Sequence, residues 1–257
     1  MNLFDLTGKV AVVTGASSGL GADAARAYAA QGADVALLAR RKEKLEAVVA
    51  EITATGRRAI AVPCDVSKED RIKAAVEQVL AHYGKIDILL NDAGVAQPGS
   101  VETLTTDEWD RSMNINVRGI FLMSKYIVPG MKERKYGRIV NIASVNAVVA
   151  DKSDIMARHV YNASKAAVLG LTKGMAASYA RYNITVNALG PGLFESEMTE
   201  GTLFKHQDFL NAYSARCPAS RPGARGEMNG PILFFSSDAC SYVTGQFFVV
   251  DGGVTSV

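Results

Sequence analysis

Residues that build metal sites and disulfide frameworks are scarce in this sequence. Among 257 residues there are three cysteines and three histidines. The cysteines, Cys64, Cys217 and Cys240, lie far apart and match no metal-binding spacing. Isolated thiols are typical of a reducing compartment, whereas small secreted domains pair them. We therefore expect a cytoplasmic protein with no bound metal.

Strong net charge and long apolar runs are also missing. The 28 Lys and Arg residues nearly balance the 26 Asp and Glu residues, which leaves a formal charge of +2. Such a weak field favours neither nucleic acid nor a membrane surface as a partner. No stretch of about 18 apolar residues predicts a membrane span, and the first residues do not resemble a signal peptide.

Short apolar runs alternate with longer amphipathic segments along the whole chain. The runs are continuously apolar, as strands covered on both faces require. They occupy 9–14, 34–39, 59–63, 86–90, 138–143, 184–189 and 246–250, and helical patterns lie near 19–31, 41–55, 67–83, 106–133, 160–182 and 224–237. This alternation predicts an α/β Rossmann fold: a single doubly wound parallel sheet of about seven strands with helices on both faces. No linker or repeat divides the chain, so residues 1–257 are expected to form one domain.

A glycine-rich segment follows the first predicted strand and opens the first predicted helix. It reads T-G-A-S-S-G-L-G over positions 14–21. Glycines there permit a tight turn, close approach of the backbone to a pyrophosphate, and close packing of helix on sheet. The alternative is an ordinary turn, but the strand–helix context favours a nucleotide cofactor. The residues predicted to contact it are Gly15, Ser17, Ser18, Gly19, Leu20 and Gly21.

The end of the second strand indicates which dinucleotide binds. Sites that prefer NAD usually place an acid there to hold the ribose 2′-hydroxyl. This sequence instead has Ala39 followed by Arg40 and Arg41. A guanidinium can bind a 2′-phosphate through paired hydrogen bonds. The alternative is that both arginines only begin a solvated helix, but the missing acid favours NADP over NAD.

Tyr161 and Lys165 lie four positions apart in a helical segment, so their side chains share one helical face. A cation beside a phenol favours the phenolate and makes the tyrosine a candidate proton donor. A Y-x-x-x-K spacing by itself is also common on ordinary helix surfaces. Ser144, at the end of a buried strand, supplies a hydroxyl near the same edge of the sheet.

With the glycine loop, serine, tyrosine and lysine in this order, the sequence resembles the short-chain dehydrogenase/reductase family nearly from end to end. The resemblance implies Asn116, seven positions after Trp109, as a fourth active-site residue, and Asn114 fits that spacing less well. The motif N-D-A-G at 91–94 departs from the family's N-N-A-G at Asp92, which bears more on local stability than on chemistry. The other cofactor contacts that the resemblance implies are Asp65, Val66, Asn91, Ala93, Gly94, Tyr161, Lys165, Pro191, Gly192 and Ser196.

The resemblance also implies a mechanism, which is hydride exchange between a nicotinamide and a carbonyl or alcohol carbon. Tyr161 would give or take the substrate proton, and Ser144 would hydrogen-bond the substrate oxygen. Lys165 would hold the ribose hydroxyls and lower the pKa of Tyr161. Asn116 would position a water that links Lys165 to solvent. No metal is required, because hydrogen bonds stabilise the developing alkoxide.

Two segments are expected to set substrate specificity. Ser144 and Tyr161 are 17 positions apart, wider than is usual in the family, and the extra residues fall in a charged loop at 150–159. We predict that Arg158 or His159 overhangs the pocket and contacts a polar or anionic substrate. The alternative is a solvated loop or a helix cap supplied by Ser153 or Asp154. The segment 193–214 resembles the family's mobile substrate lid.

The residues leave several functions open. The segment 226–238 and the Gly-Pro-Gly turn at 190–192 look most like sugar-acid and polyol oxidoreductases such as gluconate 5-dehydrogenase. A hydroxysteroid dehydrogenase is one alternative. A 3-oxoacyl-carrier-protein reductase is another, for which Arg134 and Lys135 give half of a basic patch and Tyr182 stands where a second cation would help. A non-catalytic cofactor sensor is a remote alternative. In the family that the sequence resembles, the last strand packs against a symmetry mate, so the resemblance implies a homotetramer; the alternative is internal packing alone.

Overall fold

Seven parallel strands form one sheet at the centre of the molecule. The computed structural model describes residues 3–152, 156–200 and 203–257. The strands are β1 (Val10–Thr14), β2 (Asp34–Ala39), β3 (Ala59–Pro63), β4 (Ile88–Asn91), β5 (Gly137–Ile142), β6 (Ile184–Pro191) and β7 (Phe247–Val250). Their order is β3-β2-β1-β4-β5-β6-β7, and every adjacent pair is parallel. This confirms the predicted doubly wound sheet.

Helices cover both faces of the sheet. They are α1 (Gly19–Ala30), α2 (Lys42–Ala54), α3 (Glu69–Tyr83), α4 (Thr106–Met113), α5 (Gly119–Arg134), α6 (His159–Tyr179), α7 (Glu197–Glu200), α8 (Gln207–Arg216) and α9 (Asn229–Ser236). Along β1, Ala11 and Val13 join the apolar core beneath α1, α2 and α9, whereas Val12 joins the core beneath α3, α5 and α6. Alternate side chains thus enter opposite cores, which is why the strand is apolar without interruption. Among the described helices, none has the length and apolarity to span a bilayer.

The fourth predicted helix is divided by a change in hydrogen bonding. The pattern predicted one helix over 106–133, but α4 and α5 are joined by a π-helical segment, Asn114–Arg118. A π turn inserts one residue without ending the helix, so apolar periodicity alone does not reveal it. Helix α4 itself begins at a capping box between Thr105 and Glu108. The π segment rotates Asn116 into the interior, where it is fully buried.

Two sets of buried hydrogen bonds fix the carboxyl ends of the central strands. The Thr14 hydroxyl accepts the N–H groups of Asp92 and Ala93, at 3.0 and 3.1 Å, and so joins the end of β1 to the loop after β4. Asn91 Nδ2 donates to Asn141 Oδ1 at 2.9 Å, and Asn141 Nδ2 donates to Thr172 Oγ1 at 2.9 Å. These bonds connect β4, β5 and α6 at the edge where ligands bind in such sheets.

We expect Thr14→Val to lower the free energy of unfolding by about 1–3 kcal/mol, because it keeps the shape but leaves two backbone N–H groups unpaired. Thr185 provides the matched control. It is also a buried strand threonine, and within the described chain its hydroxyl has no hydrogen-bond partner. Thr185→Val should therefore leave the free energy of unfolding unchanged or raise it, since it removes a buried hydroxyl that makes no hydrogen bond. Urea unfolding measures both variants, and equal losses would contradict the role of Thr14.

Candidate active site

A cavity of about 470 Å³ opens at the carboxyl ends of the strands, beside the point where the order reverses between β1 and β4. Its size falls within the range of small-molecule and cofactor sites. Of the residues predicted from the sequence, these line it: Gly15, Ser17, Ser18, Gly19, Leu20, Arg40, Arg41, Asp65, Val66, Ala93, Gly94, Ser144, Tyr161, Lys165, Pro191, Gly192 and Ser196. Gly21, Asn91 and Asn116 are not among the lining residues, and neither are Arg158 and His159, which were predicted to overhang the pocket.

The glycine loop is compact because its glycines have no room for side chains. Gly15 has φ +73°, and a Cβ there would lie 2.9 Å from the backbone nitrogen of Ala93. A Cβ on Gly21 would lie 2.8 Å from the carbonyl oxygen of Gly15. The loop therefore packs directly on the segment after β4 and begins α1 at the cavity wall. A helix N-terminus placed in this way presents backbone N–H groups to a phosphate.

Arg41 organises the end of the cavity beyond β2. Its Nη2 donates to the hydroxyls of Ser17 and Ser18, both at 3.0 Å. Its two Nη atoms also donate to the carboxylate of Glu197, from α7. Arg40 lines the same cavity on the side of Asp65. Burial raises the pKa of Asp65, but the hydrogen bonds from Ser67 and the charge of Arg40 outweigh it and lower the pKa.

Tyr161, Ser144 and Lys165 meet at the end of β5. Tyr161 and Ser144 line the same cavity, where the Ser144 hydroxyl accepts the N–H of Asn146 at 3.1 Å, and Lys165 Nζ lies 5.6 Å from the centroid of the tyrosine ring. Lys165 Nζ donates to the carbonyl oxygen of Ile142 at 2.8 Å, so the ammonium is held by the last residue of the strand. Burial lowers the pKa of Lys165 to about 8.

The expectation that Lys165 lowers the pKa of Tyr161 stays a prediction, because the net direction in this structure is upward and burial is its main cause. Burial raises the pKa of Tyr161, and the groups that act against it are the hydrogen bond with Ser144 and the positive charge of Arg158. The phenol is therefore held protonated, as a proton donor must be. The lysine's closest polar partner is the backbone of Ile142 and not the phenol.

Asn116 is enclosed by hydrogen bonds and does not face the cavity. Its Oδ1 accepts the N–H of Val95 at 2.8 Å, and its Nδ2 donates to the carbonyl of Val95 and to Ser164 Oγ, both at 2.9 Å. The hydroxyl of Ser164 in turn donates to the carbonyl of Tyr161 at 2.9 Å. Asn116 thus joins the loop after β4 to the first turns of α6, at the carbonyl of the candidate proton donor.

Asp92 reaches further into the site than the sequence indicated. It lines the cavity against the glycine loop, where a Cβ built on Gly21 would lie 2.7 Å from Asp92 Oδ2. Burial raises the pKa of Asp92 to about 7, against the opposing charge of Lys165. The Asp92 charge in turn raises the pKa of Lys165 against the effect of burial. The charge of Asp92 thus acts on the candidate catalytic lysine in addition to any effect on local stability.

The two residues of the charged loop that were predicted to reach the pocket, Arg158 and His159, have different environments. His159 Nδ1 accepts the N–H of Val101 at 3.0 Å, so this side chain anchors a neighbouring loop and does not overhang the pocket. Arg158 is half-buried, and its charge acts on Tyr161. Ser153 and Asp154, the alternative helix caps, lie outside the described residues. Helix α6 begins at His159.

These residues fit a phosphorylated dinucleotide. The loop glycines leave a cradle that a Cβ would fill, and the cavity runs from the donors around Arg41 to the hydroxyls of Ser144 and Tyr161. A nicotinamide-dependent oxidoreductase needs backbone donors for phosphates at one end of such a cavity and a proton donor at the other. Residues 9–206 match the short chain dehydrogenase family. The chain accordingly belongs to the short-chain dehydrogenase/reductase family of oxidoreductases.

Relatives within the family cover nearly the whole chain. Gluconate 5-dehydrogenase of Gluconobacter oxydans is 38% identical over 254 residues, which span 99% of this chain and 97% of that protein. A 3-oxoacyl-acyl-carrier-protein reductase of Thermotoga maritima is 36% identical over 97% of this chain and 98% of its own. The crystal structure of a gluconate 5-dehydrogenase from Burkholderia cenocepacia in complex with NADP and tartrate is 35% identical, with a TM-score of 0.93 over 100% of this chain and 98% of that one. The likeness to gluconate 5-dehydrogenases predicted from the sequence is confirmed.

We expect Asp92→Asn to stabilise the protein increasingly as the pH rises. From its ordinary pKa of 3.8 up to about 7, folded Asp92 keeps a proton that the unfolded chain has released, so the wild type loses stability across this range. Asn cannot ionise, and the variant should be more stable by about 1–3 kcal/mol at pH 8. Its advantage should be smaller at pH 5.

The measurement is urea unfolding at both pH values. Asp110→Asn is the control, because Asp110 is an exposed carboxylate on α4, and its effect should not depend on pH. An Asp92→Asn variant that is no more stable than the wild type at pH 8 would contradict the burial of this charge.

Proposed function

We propose that the protein is an NADP-dependent dehydrogenase or reductase that interconverts a secondary alcohol and a ketone, with a sugar acid as substrate. The observation that carries the proposal is the convergence of Tyr161, Ser144 and Lys165 at one end of a cavity whose other end holds Arg41. Hydride transfer requires the bound dinucleotide and the proton donor to reach the same substrate. The dinucleotide site and the proton donor must therefore lie in one cavity, as they do here.

When bound, NADP supplies or accepts the hydride. The phenol of Tyr161 gives its proton to the carbonyl oxygen during reduction and takes it back during oxidation. Ser144, which lines the same cavity as Tyr161, would donate to the same oxygen as charge develops there. Lys165 binds the ribose hydroxyls, and its fixed position at Ile142 keeps its charge beside the tyrosine ring. Asn116, whose side-chain amide is engaged with Val95 and Ser164, holds the start of α6 in place.

Cations and hydroxyls beyond β2 support NADP over NAD. Arg41 and the hydroxyls of Ser17 and Ser18 lie within hydrogen-bonding distance of one another, and Lys44 lies on the same side. No acid follows β2 to hold a free ribose 2′-hydroxyl, because Arg40 stands there. A phosphate dianion suits this combination of guanidinium, ammonium and hydroxyl donors. The Burkholderia relative, which was crystallised with NADP, points the same way.

Arg158 supports an anionic substrate. It is half-buried, it acts electrostatically on Tyr161, and no carboxylate of the described chain pairs with it. A guanidinium beside the reacting end of a pocket can bind a substrate carboxylate with charge-assisted hydrogen bonds. Of the substrates considered, a sugar acid carries that carboxylate and a steroid does not. The Gluconobacter relative is named for a sugar acid.

A carrier-protein reductase is the second candidate, because cations flank Tyr182. Lys132 Nζ lies 5.1 Å from the centroid of the Tyr182 ring, and the Arg181 guanidinium lies 4.9 Å from it. Lys132 and Arg181 therefore supply, beside Tyr182, the second cation that the basic patch for a carrier protein would need. Arg134, by contrast, donates a hydrogen bond to the carbonyl of Ile86, so this guanidinium already has a partner within the protein. Turnover of a 3-oxoacyl thioester in preference to 5-ketogluconate would favour this second function.

We also propose a cytoplasmic homotetramer. The three cysteines are free thiols and are buried, which suits a reducing compartment. Strand β7 is a sheet edge on which Phe248 is exposed, and Tyr242, in the segment before this strand, is also exposed; a symmetry mate would cover such an edge. Light scattering that gives a mass other than that of four subunits would contradict the tetramer.

Tyr161→Phe should lower kcat with 5-ketogluconate and NADPH by about 10²- to 10⁴-fold, since it removes the only proton that the phenol can donate. The dissociation constant for NADPH should stay within about threefold, because the ring remains. Tyr179→Phe is the control: Tyr179 lies on the same helix, away from the cavity. A Tyr161→Phe variant that turns over at the parent rate would contradict the mechanism.

Arg158→Ala should raise KM for 5-ketogluconate by about tenfold or more, because one charge-assisted interaction with the carboxylate is lost. KM for an uncharged ketohexose should change much less. Both substrates use Tyr161 as proton donor, so any effect of Arg158 on Tyr161 should change the two KM values equally. The difference between the two KM changes therefore reports on the carboxylate alone. Lys152→Ala, an exposed charge in the same loop, is the control. Equal changes in KM for both substrates would mean that Arg158 does not bind the substrate carboxylate.

A further inference from the structure

The carboxylate of Glu197 occupies the cationic end of the cavity. Glu197 is the first residue of α7, which lies in the proposed lid. Its Oε1 accepts from Arg41 Nη1 at 2.7 Å and its Oε2 accepts from Arg41 Nη2 at 2.6 Å. Lys44 Nζ also donates to Oε1. Hydrogen bonds from Arg41, Lys44 and Ser18 hold the pKa of Glu197 far below its ordinary value, so this carboxylate is ionised at any pH at which the protein works.

The donors that hold Glu197 are the same donors that a 2′-phosphate would require. Arg41 offers both Nη atoms to the carboxylate, while Nη2 also contacts Ser17 and Ser18. A paired contact of this kind uses the geometry by which a guanidinium binds phosphate. A phosphate monoester carries about two negative charges at neutral pH. Placed beside an ionised carboxylate on the same two cations, it would meet direct repulsion.

We propose that Glu197 is a specificity-determining residue that occupies the 2′-phosphate subsite and competes with the phosphate for Arg41 and Lys44. Binding of a 2′-phosphate then requires Glu197 to leave Arg41. Because Glu197 is the first residue of α7, phosphate binding is coupled to the release of this helix from the cavity wall. A dinucleotide without the phosphate leaves the contact in place. Glu197 therefore weakens NADP binding and leaves NAD binding unaltered, which narrows the preference for NADP. This inference rests on the proposed NADP site.

The size of the effect follows from the exposure of the ion pair. The side chains of Arg41 and Glu197 keep 45% and 41% of their accessible surface, so water and salt screen their attraction. Because the phosphate must displace the carboxylate, its affinity should be about three- to tenfold lower than at a site without Glu197, but binding should not be abolished. The same exposure means that Glu197 can be replaced without disturbing the core.

Titration calorimetry with adenosine 2′,5′-bisphosphate and 5′-AMP separates binding at this subsite from turnover. Glu197→Gln keeps the length of the side chain and removes the competing charge, and Glu197→Ala removes the side chain. Both should lower the dissociation constant of adenosine 2′,5′-bisphosphate by about three- to tenfold and leave that of 5′-AMP within about twofold. Glu195→Gln is the matched control, since Glu195 is an exposed acid two positions away, and neither ligand's affinity should change. In an Arg41→Gln background, Glu197→Gln should have little effect.

The outcomes separate this inference from the proposed cofactor. A wild-type protein that binds both ligands equally would contradict the NADP preference. An unchanged or weakened affinity for adenosine 2′,5′-bisphosphate in Glu197→Gln and Glu197→Ala would overturn the competition, even where the wild type prefers the bisphosphate. An equal gain in Glu195→Gln would also overturn it, because the effect would then be one of general charge.

Discussion

The fixed position of α6 across the end of β5 is the constraint on which the rest of the site depends. Two bonds tie it to β5: the Lys165 ammonium donates to the carbonyl of Ile142 at 2.8 Å, and Asn141 Nδ2 donates to Thr172 Oγ1 at 2.9 Å. All of these groups are buried, so leaving one unpaired is expensive. A one-turn shift of α6 would break the whole set, and it would move Tyr161 about 5 Å away from Ser144. The strand end thus determines where the proton donor lies.

Buried charge gives the site its chemical character. Asp92, Lys165 and Tyr161 share a region of low solvent access, where burial moves each pKa toward the neutral form. Asp92 and Lys165 resist this shift in one another because their charges are opposite. The N-N-A-G motif that the sequence resembles has an amide at this position, whereas this chain carries a carboxyl group whose pKa burial raises to about 7. The protonation of Lys165 is therefore linked to a carboxyl group beneath the glycine loop.

Sequence patterns predicted the parts of the molecule that depend on local chemistry. Continuous apolar runs located all seven strands, and the residues of the glycine loop and of the Tyr161–Lys165 pair lie together at one cavity. The π-helical segment at Asn114–Arg118 was not predicted, since a single inserted residue does not disturb helical periodicity. The contact between Arg41 and Glu197 spans 156 positions, and no local pattern marks an acid as the partner of a distant arginine. His159 was misplaced for the same reason, because its partner Val101 lies on another loop.

Direct hydride transfer within this cavity is tested most directly by following a label. NADPH that carries deuterium on one face of nicotinamide C4 can be incubated with a keto sugar acid in ordinary water, and the product examined by mass spectrometry. We expect one deuterium in each product molecule when one face is labelled and none when the other is, because the protein holds the dinucleotide in one orientation. Product that lacks deuterium whichever face carries the label would contradict hydride transfer at this site.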